Sequence, residues 1–401
     1  MTIEIRNPTE DELRATLDAG TTAFAEELPD HDFELFSKEL PVGRVIGAYD
    51  GPKPVGIAAS IAFEMTIPGG VAPCAGVTWV GVMPTHRRRG ILTQLMRRQL
   101  DDLRAAGEPL AALWASEPVI YGRFGYGIAA PAAALDADTA GFAFRDDPGP
   151  TGTARLLTKE EARELFPPVF ERARAQRNGM LSRSDARWDG RTADPENWRE
   201  GASRKFYVLV ELDGHPEAFA MYRIKHDWER GQPKSELRLV DAIATSTEAA
   251  RELWRYLFNV DLIAKVSLWN FDPATPLFLM VADARRLQLK LSDGIWLRLV
   301  DVGEALARRS YADTGSVVLE VTDDFCTWNA GRFRAGAKAG RARALADLRL
   351  SAADLASAYL GAFSFERLAA AGRVEELTDG AIARASSLFR TELPPYCPEP
   401  F

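Results

Sequence analysis

Two short stretches of this chain match each other. Val80-Gly-Val-Met-Pro-Thr85 and Val240-Asp-Ala-Ile-Ala-Thr245 both read as the end of an apolar strand that runs into a turn and then a helix. A repeated strand–turn–helix unit limits the chain to architectures in which mixed sheets carry helices on their faces. The copies differ in the turn. The first has His86-Arg-Arg-Arg-Gly90, and the second has Ser246-Thr-Glu-Ala-Ala-Arg251. The second copy thus reads as kept in structure and emptied of whatever the basic turn does.

The surrounding pattern fits such units. Ile3 and Ile5 alternate with polar residues as a strand does, and Thr9 followed by Glu12 is a capping box that opens a helix. Residues 42–49 and 55–63 read as strands joined at Asp50-Gly51-Pro52, and 77–82 as another strand. A helix is expected over about 90–105, a short buried strand at 110–115, and a helical turn then a bend over 117–126. Turn formers over 145–153 mark a connection, Thr158 with Glu161 opens a further helix, and 206–212 with 218–224 form a hairpin about Asp213-Gly214. From Leu291 the character changes. Residues 294–300, 317–321, 326–330 and 331–335 read as one antiparallel sheet, with helices at 351–358 and 364–371. The expected class is α/β (α+β), with mixed central sheets and flanking helices, in domains 1–135, 136–290 and 291–401.

Bulk properties narrow the functions. The chain has 401 residues, too many for one ordinary core, and is 46% hydrophobic and 26% charged, as a soluble globular protein is. A net charge of -8 gives no pull toward nucleic acid and favours a cationic small molecule. Cys74, Cys326 and Cys397 are scattered, as are His31, His86, His215 and His226, so neither a disulfide framework nor a metal site is expected. The first residues lack the basic start and apolar run of a signal peptide, and no stretch reaches about 18 apolar residues, so neither secretion by a leader nor a membrane span is expected. The default location is the cytoplasm.

The basic turn carries the chemistry. Arg87 to Gly90 spells R-x-x-G after a strand and before a helix. A helix start has unpaired amide hydrogens and a positive dipole end, which suit a pyrophosphate. Gly90 lets backbone approach closely, Thr85 can cap the turn, and the arginines add forked donors. A basic surface turn that merely caps a helix is the plainer reading of the same residues.

With its context the segment resembles the Gcn5-related N-acetyltransferase (GNAT) superfamily, whose R/Q-x-x-G-x-G/A loop grips coenzyme A. Leu92 departs from that last position. The runs P-T-H-R-R-R-G and I-Y-G-R-F-G-Y-G are more specific and resemble the enhanced intracellular survival (Eis) branch. That resemblance spans the chain. It implies two GNAT folds, the second without a working cofactor loop, and then a domain like sterol carrier protein 2.

The resemblance also implies roles. Val80, Gly81 and Val82 would line the pantetheine arm through their backbone. Arg88, Arg89, Gly90, Ile91, Leu92 and Thr93, with Arg87 nearby, would surround the pyrophosphate of acetyl-CoA. Ser116 and Glu117 would border the thioester. Tyr121 would be the general acid, in the spacing Y-x-x-x-G-[FY] completed by Gly125 and Tyr126. The general base would be the terminal carboxylate on Phe401, and no metal takes part. Glu26, placed beside Glu27 on the first helical region, would face the amine. Trp114 stands where some relatives have His, and Pro400 where some have Glu, for which Glu399 could compensate. The acceptor would be a small polyamine such as an aminoglycoside, with a lysine of a peptide or protein as the alternative, and the assembly a homo-hexamer. A non-catalytic lipid- or ligand-binding scaffold is the reading from another class. It has no use for Arg87 to Gly90 together with Tyr121.

Overall fold

The computed structural model describes residues 3–401, which divide into two compact units. One comprises residues up to 130, 295–395 and 399–401; the other comprises 131–294 and 396–398.

The first unit opens with β1 (Ile3–Arg6), α1 (Glu10–Ala23), α2 (Asp30–Phe36), β2 (Val45–Asp50), β3 (Lys53–Ile67), β4 (Gly70–Val82), α3 (Ile91–Ala105), β5 (Leu110–Trp114) and α4 (Pro118–Tyr121). β1 to β4 pair antiparallel, each with the next, and β5 joins β4 in parallel. Leu110 to Leu113 are buried, the continuous apolar run of a strand covered on both faces. The Glu12 carboxylate accepts from the Thr9 amide at 2.9 Å, which starts α1. Two glycines let α1 lie close on the sheet. A Cβ at Gly20 would stand 2.9 Å from Ile57 Cγ2, and one at Gly81 3.0 Å from the Cβ of Ala23. α3 buries Ile91, Leu95, Met96, Leu100 and Leu103 at helical spacing and turns its polar face outward.

The chain after residue 291 departs from its expected layout. The strand Lys290–Leu299 does not join the C-terminal sheet but pairs antiparallel with β5, Ile295 opposite Trp114. Residues 326–330 are not a strand: Thr327–Asn329 is a single 3-10 turn. The Asp323 carboxylate accepts from the Cys326 amide at 2.8 Å, and the Asn329 side chain bonds the Val302 amide, so these residues spend their polar groups on a loop and not on a ladder. The sheet proper has five strands in the order Gly340–Arg341, Gly331–Gly336, Ser316–Thr322, Leu348–Ser351, Val374–Glu376. One pairing is parallel, Ser316–Thr322 with Leu348–Ser351. Helices Ala352–Tyr359, Phe365–Ala370 and Ala381–Phe389 accompany it.

The second unit repeats the strand plan of the first. Strands Thr153–Leu157, Phe206–Leu212, His215–Lys225 and Ser235–Ala244 pair antiparallel in turn, and Ile263–Phe271 lies parallel to Ser235–Ala244. Helix Lys159–Ala175 starts on the expected capping box, with the Glu161 amide donating to Thr158 Oγ1 at 3.2 Å and Glu161 Oε2 accepting from the Thr158 amide at 2.8 Å. Its aromatic core includes Phe166, Phe170, Trp188 and Phe219. Among the described residues no helix is long and apolar enough to cross a membrane.

Lys205 in this unit is buried, and its Nζ donates to the carbonyls of Arg191 and Ala193 at 2.7 and 2.5 Å. Burial, with the nearby Arg223 and Arg191, pulls its pKa down to about 7 from 10.5. Between those values the unfolded chain binds a proton that the folded chain does not, so this residue adds stability as pH rises from 7 toward 10.5. Denaturant titrations from pH 6 to 10 are expected to show that Lys205→Met removes a rise of about 1 kcal/mol per pH unit; an unchanged profile would contradict the assignment.

Candidate active site

The site begins where β4 and β5 stop pairing. Their parallel ladder is confined to Cys74–Gly76 against Leu110–Ala112, although β4 continues to Val82 and β5 to Trp114. On its other side β4 stays paired with β3, Thr78 opposite Ala59 and Gly81 opposite Ile57. Trp79 and Val80 therefore share one partner position, a β-bulge, and Trp79 takes a φ of +55°. The bulge twists β4 away from β5 and leaves the β5-facing backbone of its last turn unpaired by sheet. The Val82 carbonyl is already in use, since it accepts from Arg87 Nε at 3.2 Å while another Arg87 nitrogen donates to the Ala23 carbonyl at 3.0 Å. Arg87 therefore ties the turn to the end of α1.

Arg88, Arg89 and Gly90 are exposed, Ile91 is buried, Leu92 half-buried and Thr93 exposed. Gly90 caps α3 with a φ of +78°, and among the described residues no side chain caps the helix. A Cβ there would meet no atom of the described residues within 4 Å. The glycine is thus required by its dihedral, not by close packing of the chain on itself. Thr85 does not cap the helix. Its hydroxyl bonds His86 Nδ1 at 2.8 Å, and His86 Nε2 lies 3.3 Å from Asp50. The first amides of α3 consequently remain open beside two exposed guanidinium groups. In the second copy Ser246 caps its helix by accepting from the Ala249 amide at 3.1 Å, which occupies one of the groups left open at Gly90.

A cavity of about 240 Å³ lies at the parting of the strands. It brings together Val80, Trp114, Ser116, Tyr121, Phe401 and Glu26. Gly81, Val82 and Glu117 are not part of its lining. Glu26 does not sit on a helix as expected: α1 ends at Ala23, and Ala25 with a φ of +60° starts a turn in which the Glu26 amide bonds the Thr21 carbonyl at 2.9 Å. That reversal brings Glu26 to the cavity while Glu27 stays outside it. Trp114 donates from Nε1 to the Glu399 carbonyl at 2.9 Å, and the Phe401 ring packs on Phe63 with centroids 5.3 Å apart. The Glu399 side chain is buried and away from the cavity lining, so it does not stand in for a glutamate at Pro400.

Tyr121 is buried, and burial raises its pKa, with the Ser116 hydroxyl pulling the other way. Its phenol therefore keeps its proton well past neutral pH. Tyr126 is wholly buried, outside that cavity, and its hydroxyl has no hydrogen-bond partner among the described residues. The rings meet edge to face, 6.0 Å apart. Trp79, Phe24, Thr21, Val77 and Thr78 also line the cavity. No sequence signal marked them: a bulge in an apolar strand leaves the residue pattern of Val77–Trp79 unchanged, and Thr21 and Phe24 reach the cavity only through the packing of the end of α1 on β4.

Comparison with known proteins identifies the family. Two acetyltransferase (GNAT) domain families match residues 4–129 and 179–299, and a sterol carrier protein domain family matches 302–398. An uncharacterized N-acetyltransferase of Streptomyces avermitilis is 43% identical over 92% of each chain. N-acetyltransferase Eis of Mycobacterium tuberculosis is 33% identical over 98% of each chain. The crystal structure of Eis1 from Mycobacterium abscessus, 34% identical, superposes over the whole of both chains with a TM-score of 0.87. A GCN5-related N-acetyltransferase from Anabaena variabilis, 21% identical, shares the fold at a TM-score of 0.85. Fold and relatives define an N-acetyltransferase built of tandem GNAT domains and a sterol-carrier-like domain. The chain belongs to the Eis-like N-acetyltransferases of the GNAT superfamily.

If the open turn seats a pyrophosphate, its left-handed glycine matters. Gly90→Ala strains the turn by about 1 kcal/mol or more, and calorimetry is expected to show coenzyme A binding weakened about fivefold. Binding as tight as that of the unaltered protein would mean that the turn's conformation does not hold the phosphates.

Proposed function

We propose that this chain moves an acetyl group from acetyl-CoA to primary amines of a small polycation such as an aminoglycoside, by direct attack, with Tyr121 as general acid and the main-chain carboxylate at Phe401 as general base. The observation that carries this reading is the single cavity in which a protonated phenol, the Phe401 end of the tail, an acidic side chain and the unpaired end of β4 converge.

The residues present fit the donor. The open amides of residues 88–93 with the Arg88 and Arg89 guanidinium groups suit its pyrophosphate. The freed edge of β4 at Val80–Val82 suits its amide-bearing arm, and we assign Ser116, which lines the cavity, and the adjoining Glu117 to that arm's end. Bound there, acetyl-CoA supplies an activated acyl group.

The chain's own residues do the rest. Glu26 and the faces of Trp79, Trp114 and Phe24 attract a cationic amine. The Phe401 carboxylate takes the amine's proton so that the nitrogen lone pair is free to attack. Holding both reactants in one small cavity supplies much of the rate. An amide of the Val80–Val82 stretch donates to the carbonyl oxygen as it gains charge, and Tyr121 protonates the leaving sulfur. Because burial raises the phenol pKa, the acid form persists across neutral pH, and the alkaline fall in turnover comes as pH climbs through that raised value. We place the reaction in the cytoplasm and, following the family resemblance, in a homo-hexamer, which sedimentation velocity checks.

Tyr121→Phe is expected to lower kcat about 100-fold with little change in KM for acetyl-CoA, and Tyr126→Phe to leave kcat near normal. The reverse pattern would move the acid to Tyr126. A chain prolonged by a few residues after Phe401 is expected to bind coenzyme A and lose turnover; near-normal turnover would remove the carboxylate from the mechanism. Turnover of acetyl-CoA against a panel of aminoglycosides and short lysine peptides tests the acceptor. Activity confined to the peptides would contradict the polyamine assignment.

A further inference from the structure

Tyr121 stands at the end of a four-residue helix and is followed by a tight turn. The Gly125 amide bonds the Gly122 carbonyl at 3.0 Å, and the Tyr126 amide reaches the Tyr121 carbonyl at 3.3 Å. A buried ion pair from the far end of the sequence completes it. Arg298, on the strand Lys290–Leu299, is wholly buried, as large a charged side chain as the interior holds. One guanidinium nitrogen donates to the Gly125 carbonyl at 3.2 Å, and another pairs with the Asp323 carboxylate. Gly125 has a φ of +81°, and a Cβ there would lie 1.6 Å from the Arg298 guanidinium. The glycine of the Y-x-x-x-G spacing therefore serves twice: it permits the left-handed turn, and it leaves room for the arginine.

Asp323 is itself fixed. Its carboxylate accepts from the Cys326 amide at 2.8 Å and from Asn329 Nδ2 at 3.3 Å. The same loop grips the helix that follows the basic turn. Arg97 of α3 donates to the Phe325 carbonyl and lies 3.8 Å over the Phe325 ring, and that ring meets Phe124 edge to face at 4.9 Å. The loop 323–329 thus contacts α3 on one side and the turn after Tyr121 on the other.

We propose that Arg298, held by Asp323, is a positioning residue for the Tyr121 phenol: its guanidinium fixes the Gly122–Tyr126 turn and so sets how far the phenol projects into the cavity. The inference rests on the reading that Tyr121 is the proton donor. It gives the C-terminal domain a second task beyond bringing Phe401 to the site. A planar fork spans the Gly125 carbonyl and Asp323 together, while a lysine ammonium retains the charge but not the two-point geometry.

The test is a double-mutant cycle on the full chain, with melting temperature read on every variant. Arg298→Lys is expected to lower kcat about tenfold, while KM for acetyl-CoA and calorimetric coenzyme A affinity stay within about twofold. In a Tyr121→Phe background the same change is expected to cost less than about twofold, because it acts through the phenol. Should Arg298→Lys not fold, Asp323→Asn takes its place, since it loosens the guanidinium's anchor and leaves the Gly122–Tyr126 turn itself unaltered. Unchanged kcat, a loss that is as large without the phenol as with it, or failure of both variants to fold each overturns the proposal. Full activity of Tyr121→Phe itself would instead sink the acid assignment, a distinct outcome.

Discussion

The site depends on where two parallel strands cease to hydrogen-bond. Pairing of β4 with β5 ends at Gly76 and Ala112, and the bulge at Trp79–Val80 carries β4 away from its neighbour. Backbone donors and acceptors that a closed ladder would consume become available to a ligand. Gly76 sits at the point of parting, and a Cβ there would meet the Phe63 ring at 2.3 Å and the Phe401 ring at 3.1 Å. The absence of a side chain makes room there for the Phe63 ring and for the Phe401 ring that packs on it. The cavity, the phenol and the basic turn all sit around that gap.

The second copy shows what is scaffold and what is chemistry. Ser235–Ala244 keeps a register shift between Leu239 and Asp241, and its parallel pairing with Ile263–Phe271 covers only Ser235–Arg238. Bulge and parting are thus properties of the fold. The helix that follows starts without the left-handed glycine and the run of three arginines that precede α3, and has its own serine cap. Past the end of the parallel pairing, Asn270 bonds tail residues instead: its Nδ2 donates to the Cys397 carbonyl at 2.9 Å, and its carbonyl accepts from the Tyr396 hydroxyl at 2.8 Å. The unit retains a shape whose ligand-facing groups have been spent on the protein itself.

Much of this was legible in the sequence, for identifiable reasons. The repeat, the capping boxes at Thr9 and Thr158 and the apolar runs at Leu110 and Val208 are local signals, and local signals set local elements. The basic turn was legible because helix starts and arginines carry their chemistry in their own backbone and side chains. Other features depend on contacts remote in sequence. The bulge at Trp79 is defined by its register with β3, the placement of Glu26 by a turn after α1, and the antiparallel docking of Lys290–Leu299 on β5 by partners some 180 residues away. Residues 326–330 failed as a strand because the Asp323 carboxylate captures the Cys326 amide and the Asn329 side chain is turned onto the backbone of Val300 and Val302, 29 and 27 residues earlier. Arg298 read as one more charged residue in a strand; only burial and the turn at Gly125 distinguish it.

Amide hydrogen exchange on the intact protein, with and without coenzyme A, tests the central claim most directly. The account predicts added protection at Val80, Val82 and residues 88–93, and none over 240–251, because the first set of amides faces a ligand and the second is already bonded within the protein. Protection spread over 240–251, or none at 88–93 under saturating coenzyme A, would contradict it.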